Sequence, residues 1–246
     1  AKPVMVDVES NYWCIDSKAI LKAITKKTKA IIPVHLYGNV AEMNEIKRIA
    51  KRKSLFVVED AAEAHGAVYY GKRAGSLGDI GVFSFFGNKI ITAGEGGMVT
   101  TNDKKIYERV IFLRNQAQDP KNKYWHPEIG FNYRMTNLQA AVGCAQVKKL
   151  NSFIDKKRKI FWWYKKYLGG LKDITLNQER KDTKSVYWMV SMVLGKNAGK
   201  KISRDNLMKL LKKDGIETRP FFYPLSKMPM YRKERRYSNL TVYNLA

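Results

Sequence analysis

The stretch VVEDAAEAHGAVYYGKRAGSLGDIGVFSFFGNKIITAGEGGMVTTND, Val57 to Asp103, decides how this chain is read. It opens inside an apolar run, Leu55–Val58, that predicts a buried strand ending in Glu59-Asp60. Two more short strands are predicted at Ile80–Phe85 and Gly97–Thr101, and a helix from Asp103. Open α/β sheets collect ligands at the carboxyl ends of their strands. Two polar clusters fall there: Glu59-Asp60 followed by Ala61-Ala62-Glu63-Ala64-His65-Gly66, and Ser84 to Lys89 followed by Thr92 to Gly97. A strand-end aspartate and a lysine beside glycines are the parts a pyridoxal enzyme needs. The lysine amine condenses with the cofactor's aldehyde, and the aspartate keeps the ring nitrogen protonated so that the ring accepts electrons. The same residues fit blander roles: a helix cap, a surface lysine and a glycine turn. The glycines match neither a Walker loop nor a dinucleotide fingerprint.

Outward from this stretch, apolar strands alternate with amphipathic helices. Lys2–Val8 reads as a strand, and Asp16 caps a helix whose Ile20, Leu21 and Ile24 share a face. Lys29–Leu36 reads as a strand buried on both sides. Asn39 and Glu42 have the spacing of a capping box for a helix reaching about Lys53. This alternation predicts an α/β fold, a mostly parallel sheet covered by helices, over residues 1–150. Residues 151–246 predict a smaller α+β unit. A helix at Asn137–Lys149 leads into it, and its first helix is Phe153–Leu168, which carries Phe161, Trp162, Trp163, Tyr164 and Tyr167. Further elements are a strand at Val186–Leu194, a helix capped by Ser203 and ended by Gly215, and a strand at Ile216–Phe222.

Composition narrows the function classes. Hydrophobic residues make up 45% of the 246, enough for a core. The longest apolar runs are too short to span a bilayer, and the first residues lack a signal-peptide shape, so no membrane partner is expected. Two cysteines far apart, Cys14 and Cys144, argue against a disulfide framework and for a reducing cytoplasm. His35, His65 and His126 lack the neighbours of a zinc site, so no metal is expected. The formal charge of +24 comes mostly from lysines spread over helix faces, such as Lys22, Lys47, Lys51 and Lys148, with an arginine cluster at Arg232–Arg236. Without an aromatic RNA-binding signature, this reads as a lysine-rich solvated surface, with help in attracting an anionic substrate as the alternative, and not as a nucleic-acid site.

The words themselves carry more than their spacing. Val57–Asp103, KAIIPVHLYGNVAEM at Lys29–Met43, and GFNYRMTNLQAAVGCAQ at Gly130–Gln146 together resemble the DegT/DnrJ/EryC1/StrS aminotransferases over nearly the whole chain. WCID at Trp13–Asp16, SFFGNK at Ser84–Lys89, VYWM at Val186–Met189 and TRPFFYP at Thr218–Pro224 resemble the perosamine-type branch. The resemblance implies a fold type I enzyme using pyridoxal 5'-phosphate (PLP). It would move an amino group from an amino acid, usually glutamate, to a nucleotide-linked 4-keto-6-deoxy sugar; another keto sugar or a cyclitol remains open. By motif, Lys89 would hold the cofactor and then serve as the proton-shuttling base. Asp60 would pair with the ring nitrogen, Glu63 would stand near the phenolic oxygen, and Ser84 would bind the phosphate. Asn132 or Arg134 would reach the phosphate of the neighbouring subunit in a homodimer with shared sites.

Two departures matter. Many relatives have glutamine where Glu63 stands, which leaves the charge state of that contact open. Relatives also carry a stretch before the strand matching Lys2–Val8 and more chain beyond Val242–Ala246. The expectation is therefore an interior fragment, incomplete in both domains, that alone binds PLP poorly.

Overall fold

A computed structural model describes residues 1–231 and the backbone of 236–237. The side chains of the Arg232–Arg236 cluster and the end at Val242–Ala246 lie outside the described residues. In chain order the elements are β1 (Met5–Val6), α1 (Ser17–Ala23), β2 (Ala30–Ile31), α2 (Met43–Lys53), β3 (Phe56–Asp60), β4 (Val68–Tyr69), β5 (Lys72–Arg73), β6 (Ile80–Ser84) and β7 (Gly97–Thr100). Then follow α3 (Lys104–Arg114), α4 (Asn137–Lys148), α5 (Leu150–Leu168), β8 (Ile174–Leu176), β9 (Thr183–Lys184), β10 (Met192–Leu194), α6 (Lys196–Lys201), α7 (Arg204–Lys213) and β11 (Arg236–Tyr237).

The main sheet has the order β2-β3-β6-β7. The first three strands run parallel and β7 returns antiparallel. Asp60 lies opposite Val82, and Ser84 opposite Gly97, so the ends of β3 and β6 open on one edge. The mostly parallel sheet expected from the alternation is therefore present. Helices α1 and α2 cover one face: Ile20, Met43, Ile46 and Ile49 pack in one core with Val57, Ala61 and Ala64. The α2 sequence places Met43, Ile46, Ile49 and Ala50 at the 3–4 spacing that makes one apolar stripe, and all four are buried. Three helix starts follow the sequence reading. Asp16, Asp103 and Ser203 each accept a hydrogen bond from a first-turn N–H of α1, α3 and α7.

Several expectations are corrected. Lys29–Leu36 is buried on one side only, because strand side chains alternate: Ile31 is buried, whereas Ile32 is 60% exposed. In α1, Ile20 and Ala23 turn inward while Leu21 is exposed, since a seven-residue helix presents only a narrow stripe to the core. The Asn39/Glu42 capping box does not form. Asn39 donates to the Gln178 carbonyl, Glu42 accepts from the Tyr69 hydroxyl and makes no cap of its own, and the Tyr69 hydroxyl instead accepts the Asn44 N–H of α2 at 3.2 Å. Only Met192–Leu194 of the expected strand Val186–Leu194 is extended and paired, with β8. Residues 186–189 instead wrap against the loop at Tyr37, where Val186 and Trp188 N–H groups donate to the Gly38 and Tyr37 carbonyls. Ile216–Phe222 is irregular, and Phe222 N–H donates to the Tyr37 hydroxyl in place of a strand partner. Lys2–Val8 shortens to β1, which pairs in parallel with β11. Of the α5 aromatics, Phe161 is buried against Tyr187, and Trp162, Trp163, Tyr164 and Tyr167 are exposed.

Candidate active site

Strand geometry sorts the polar pair at the end of β3. Adjacent strand residues point to opposite faces, so Glu59 is driven inward and fully buried while Asp60 is only partly covered. Glu59 accepts four hydrogen bonds. His35 Nε2 and the Gly75 N–H reach Oε2 at 2.9 and 2.8 Å, and the Leu77 and Gly78 N–H groups reach Oε1 at 2.6 and 2.5 Å. The Ala41 N–H donates to His35 Nδ1, which assigns the ring proton to Nε2. Burial pushes the Glu59 carboxyl upward, but the His35 bond and charge and the loop amides outweigh it and hold it below the usual range.

Asp60 is left open. Its Oδ1 accepts the Ala62 N–H at 3.1 Å, and among the described residues no other hydrogen bond reaches its carboxylate. Ala61 and Ala62 keep the surroundings small. One turn on, Glu63 is buried and accepts the Tyr37 N–H at 2.8 Å. Its other oxygen lies 3.8 Å from Lys89 Nζ. Burial raises the Glu63 carboxyl above its usual range; the Tyr37 N–H and Lys89 charge offset this in part, and Asp60 adds to it. His65 is buried between Phe83 and Phe85, and burial followed by the Lys89 charge lowers it to about 4, so it is neutral at neutral pH.

Lys89 stands in the turn after β6, its N–H bonded to the Phe86 carbonyl. Its side chain is 12% exposed, and the ammonium sits 4.2 Å from the centre of the Trp188 ring. Ser84 Oγ accepts the Phe86 N–H at 3.3 Å, which leaves its hydroxyl hydrogen free to donate. Asp60, Glu63, Ser84 and Lys89 are thus grouped along one edge of the sheet. Asn132 and Arg134 are not part of this group. They are exposed on the loop before α4, with Asn132 bridged to Asn115 and Arg134 donating to the Asn115 side chain at 3.3 Å. A cleft of about 280 Å³ lined by Arg73, Asn151, Asp155 and Lys184 lies apart from these residues. It offers no strand-end carboxylate beside a covered lysine.

A model of the DegT/DnrJ/EryC1/StrS aminotransferase family matches residues 1–244. The chain belongs to this family. Curated relatives include GDP-perosamine synthases from Caulobacter vibrioides, 46% identical over 232 residues, and Escherichia coli, 47% identical over 234. The matches cover 94% and 95% of this chain but 62% and 63% of the relatives, so the chain spans less than two thirds of their length. Among solved structures, a GDP-4-keto-6-deoxymannose-3-dehydratase variant with bound GDP-perosamine superposes with a TM-score of 0.90 at 27% identity. That superposition covers 98% of this chain and 67% of the other. The expected fold, that of the family's sugar aminotransferases, is therefore the observed one.

Sequence reasoning missed two residues at this site. Tyr37 supplies its backbone to Glu63, and Trp188 supplies its ring to Lys89. Both lie in the family words HLYGN and VYWM, but neither side chain titrates near neutrality, so neither has the residue type of an acid, base or nucleophile.

Proposed function

We propose that the chain is the core of a PLP-dependent aminotransferase that places an amino group on a nucleotide-linked 4-keto-6-deoxy sugar, with glutamate as donor. The observation that carries this reading is the covered lysine Lys89, held between Glu63 and Trp188 beside the open carboxylate of Asp60. The residues present fit the cofactor: an amine for its aldehyde, an unsatisfied carboxylate oxygen for its ring nitrogen, a free hydroxyl on Ser84 for its phosphate, and two alanines where a flat ring must approach. When bound, PLP supplies an electron sink for the carbon that loses or gains the amino group.

The protein's own residues do the rest. Asp60 would hold the ring nitrogen and keep its proton there. Lys89 would supply the amine that joins the aldehyde and, when free, the base that moves a proton. Glu63, raised by burial, would offer the cofactor a carboxyl that accepts or donates a hydrogen bond according to its protonation. The lysine separates this reading from a dehydratase, in which a histidine replaces it. Residues 1–150 form the large unit and 151–246 the small one, and Asn132 or Arg134, exposed here, crosses to the cofactor phosphate of a second copy.

The test is to incubate the protein with PLP, follow visible absorbance, reduce with borohydride and map the labelled peptide. Label on Lys89, with amino transfer from glutamate to a GDP-linked 4-keto-6-deoxy sugar, is the expected result. Label elsewhere, or none in a chain lengthened to that of its relatives, would remove the reading. Among the described residues no helix is long and apolar enough to cross a membrane.

A further inference from the structure

In the proposed reading Lys89 would be joined to the cofactor for part of the cycle and free for the rest, and a free amine that acts as a base would need a fixed resting place. The structure holds that amine on the face of Trp188, 4.2 Å from Nζ to the ring centre. An ammonium over an indole face is attracted by the ring quadrupole, and most strongly for tryptophan. The Glu63 carboxyl flanks the amine on another side at 3.8 Å, beyond hydrogen-bond length, and burial raises that carboxyl, so its charge draws the amine without fixing the direction that the ring face gives it.

Trp188 is itself anchored from four directions. Its indole N–H donates to the carbonyl of Asn88, the residue next to Lys89, at 2.8 Å. Its backbone N–H donates to the Tyr37 carbonyl at 3.1 Å, its carbonyl accepts from Lys157 Nζ at 2.9 Å, and its ring stacks on Tyr37 at 6.3 Å. The ring therefore touches both ends of the lysine: the peptide from which the side chain starts and the nitrogen in which it ends.

We infer that Trp188 is a positioning residue for Lys89, the docking face on which the free ammonium rests between its covalent and its proton-transfer roles. This rests on the reading of Lys89 given above, but its test need not. A docked amine is shielded from reagents in cofactor-free protein. With limiting acetic anhydride, acetylation of Lys89 is compared by peptide mass spectrometry with that of Lys104, whose side chain is 87% exposed. Trp188→Met, which keeps bulk but removes the ring, should raise Lys89 labelling relative to Lys104 about two- to fivefold. Trp188→Phe, which keeps a ring but loses the N–H, should fall between. An unchanged ratio in folded Trp188→Met overturns the inference.

If that variant does not fold, the unaltered protein decides. After reductive methylation, the Lys89 methyl resonance, assigned by its loss in Lys89→Arg, should lie upfield of the bulk lysines through the indole ring current. A resonance among the bulk overturns the inference. In protein loaded with PLP, Trp188→Met should lower kcat several-fold and leave KM for the sugar nucleotide near its original value; a change confined to KM counts against positioning. Failure to take up PLP in a chain lengthened to that of its relatives would strike the functional reading and leave the labelling result standing. An unchanged labelling ratio with normal PLP uptake would strike only this inference.

Discussion

Glu59 and Glu63 stand four residues apart and are both buried, yet they are opposite kinds of carboxylate. Glu59 is saturated, with four donors on two oxygens and a histidine whose far nitrogen is itself satisfied. Glu63 has one amide on one oxygen and a distant ammonium near the other. A saturated buried carboxylate has no capacity left for a ligand; it ties the loops at His35, Gly75 and Gly78 to the strand end. An unsaturated one is left with unmet demand, which a ligand can fill. The difference teaches that burial alone does not separate structural from chemical acids, whereas the count of donors does.

The sharpest test of this contrast is to remove one group from each side. Lys89→Ala, on the unsaturated side, should reduce amino transfer by at least about a thousandfold, as loss of a positioned base does. Its stability loss should be the smaller of the two, because Glu63 keeps the Tyr37 N–H and its raised carboxyl can take up a proton once the amine is gone. Glu59→Ala should do the reverse. It leaves His35 and three loop amides without an acceptor, and denaturant unfolding should show a loss of about 3–5 kcal/mol. Equal stability losses in the two variants would break the comparison.

A smaller effect is expected at Gly38, which joins the two regions. Its φ of +91° suits glycine, and an added methyl would lie 2.7 Å from the Val186 side chain and 2.8 Å from Trp188 N. Gly38→Ala should cost about 1–3 kcal/mol by overpacking and lift Trp188 away from Lys89. Unfolding curves together with the acetylation ratio at Lys89 would report both.

The smallest effect is in pH dependence, where the two acids should have opposite signs. The folded state lowers Glu59, so its contribution to stability is present at neutral pH and is lost as pH falls through that lowered value. The folded state raises Glu63, so its contribution is present in acid and is lost as pH rises through the raised value. Glu63→Gln should therefore flatten the stability profile on the weakly acidic side and leave the acid limb in place. Titrations of unfolding free energy against pH would show it, and an unchanged weakly acidic limb in Glu63→Gln would count against this assignment.

Much of this was legible in the sequence. The strand ends at Asp60 and Ser84, the caps at Asp16, Asp103 and Ser203, and the family words around Lys89 all depend on local pattern. What was not legible depends on distant partners. Asn39 and Glu42 have capping-box spacing, but Gln178 and Tyr69 claim their side chains first. Val186–Leu194 is apolar enough for a strand, but Tyr187 at a φ of +45° turns the chain so that Trp188 meets a residue one hundred positions earlier. Glu59 and Asp60 looked like one polar cluster, and only the alternation of the strand assigns them to different tasks. Asn132 and Arg134 share family words with the site residues, but they stand exposed beside Asn115, which local pattern does not foretell.

Helix α5 runs nineteen residues, about 28 Å at 1.5 Å per residue. Near its start Leu150 and Phe153 pack with Phe85, close to the turn that carries Lys89. Further along, Lys157 and Arg158 hold the carbonyls of Trp188 and Ser185, and Phe161 stacks flat on Tyr187 at 3.7 Å. One rigid rod thus bears on both the lysine turn and the tryptophan segment. In mechanical terms it is a lever with its two loads on the same site. A tilt of about 5° about one end displaces the other by roughly 2 Å, so a swing of this helix about its sheet-packed start would change the gap between ring and amine.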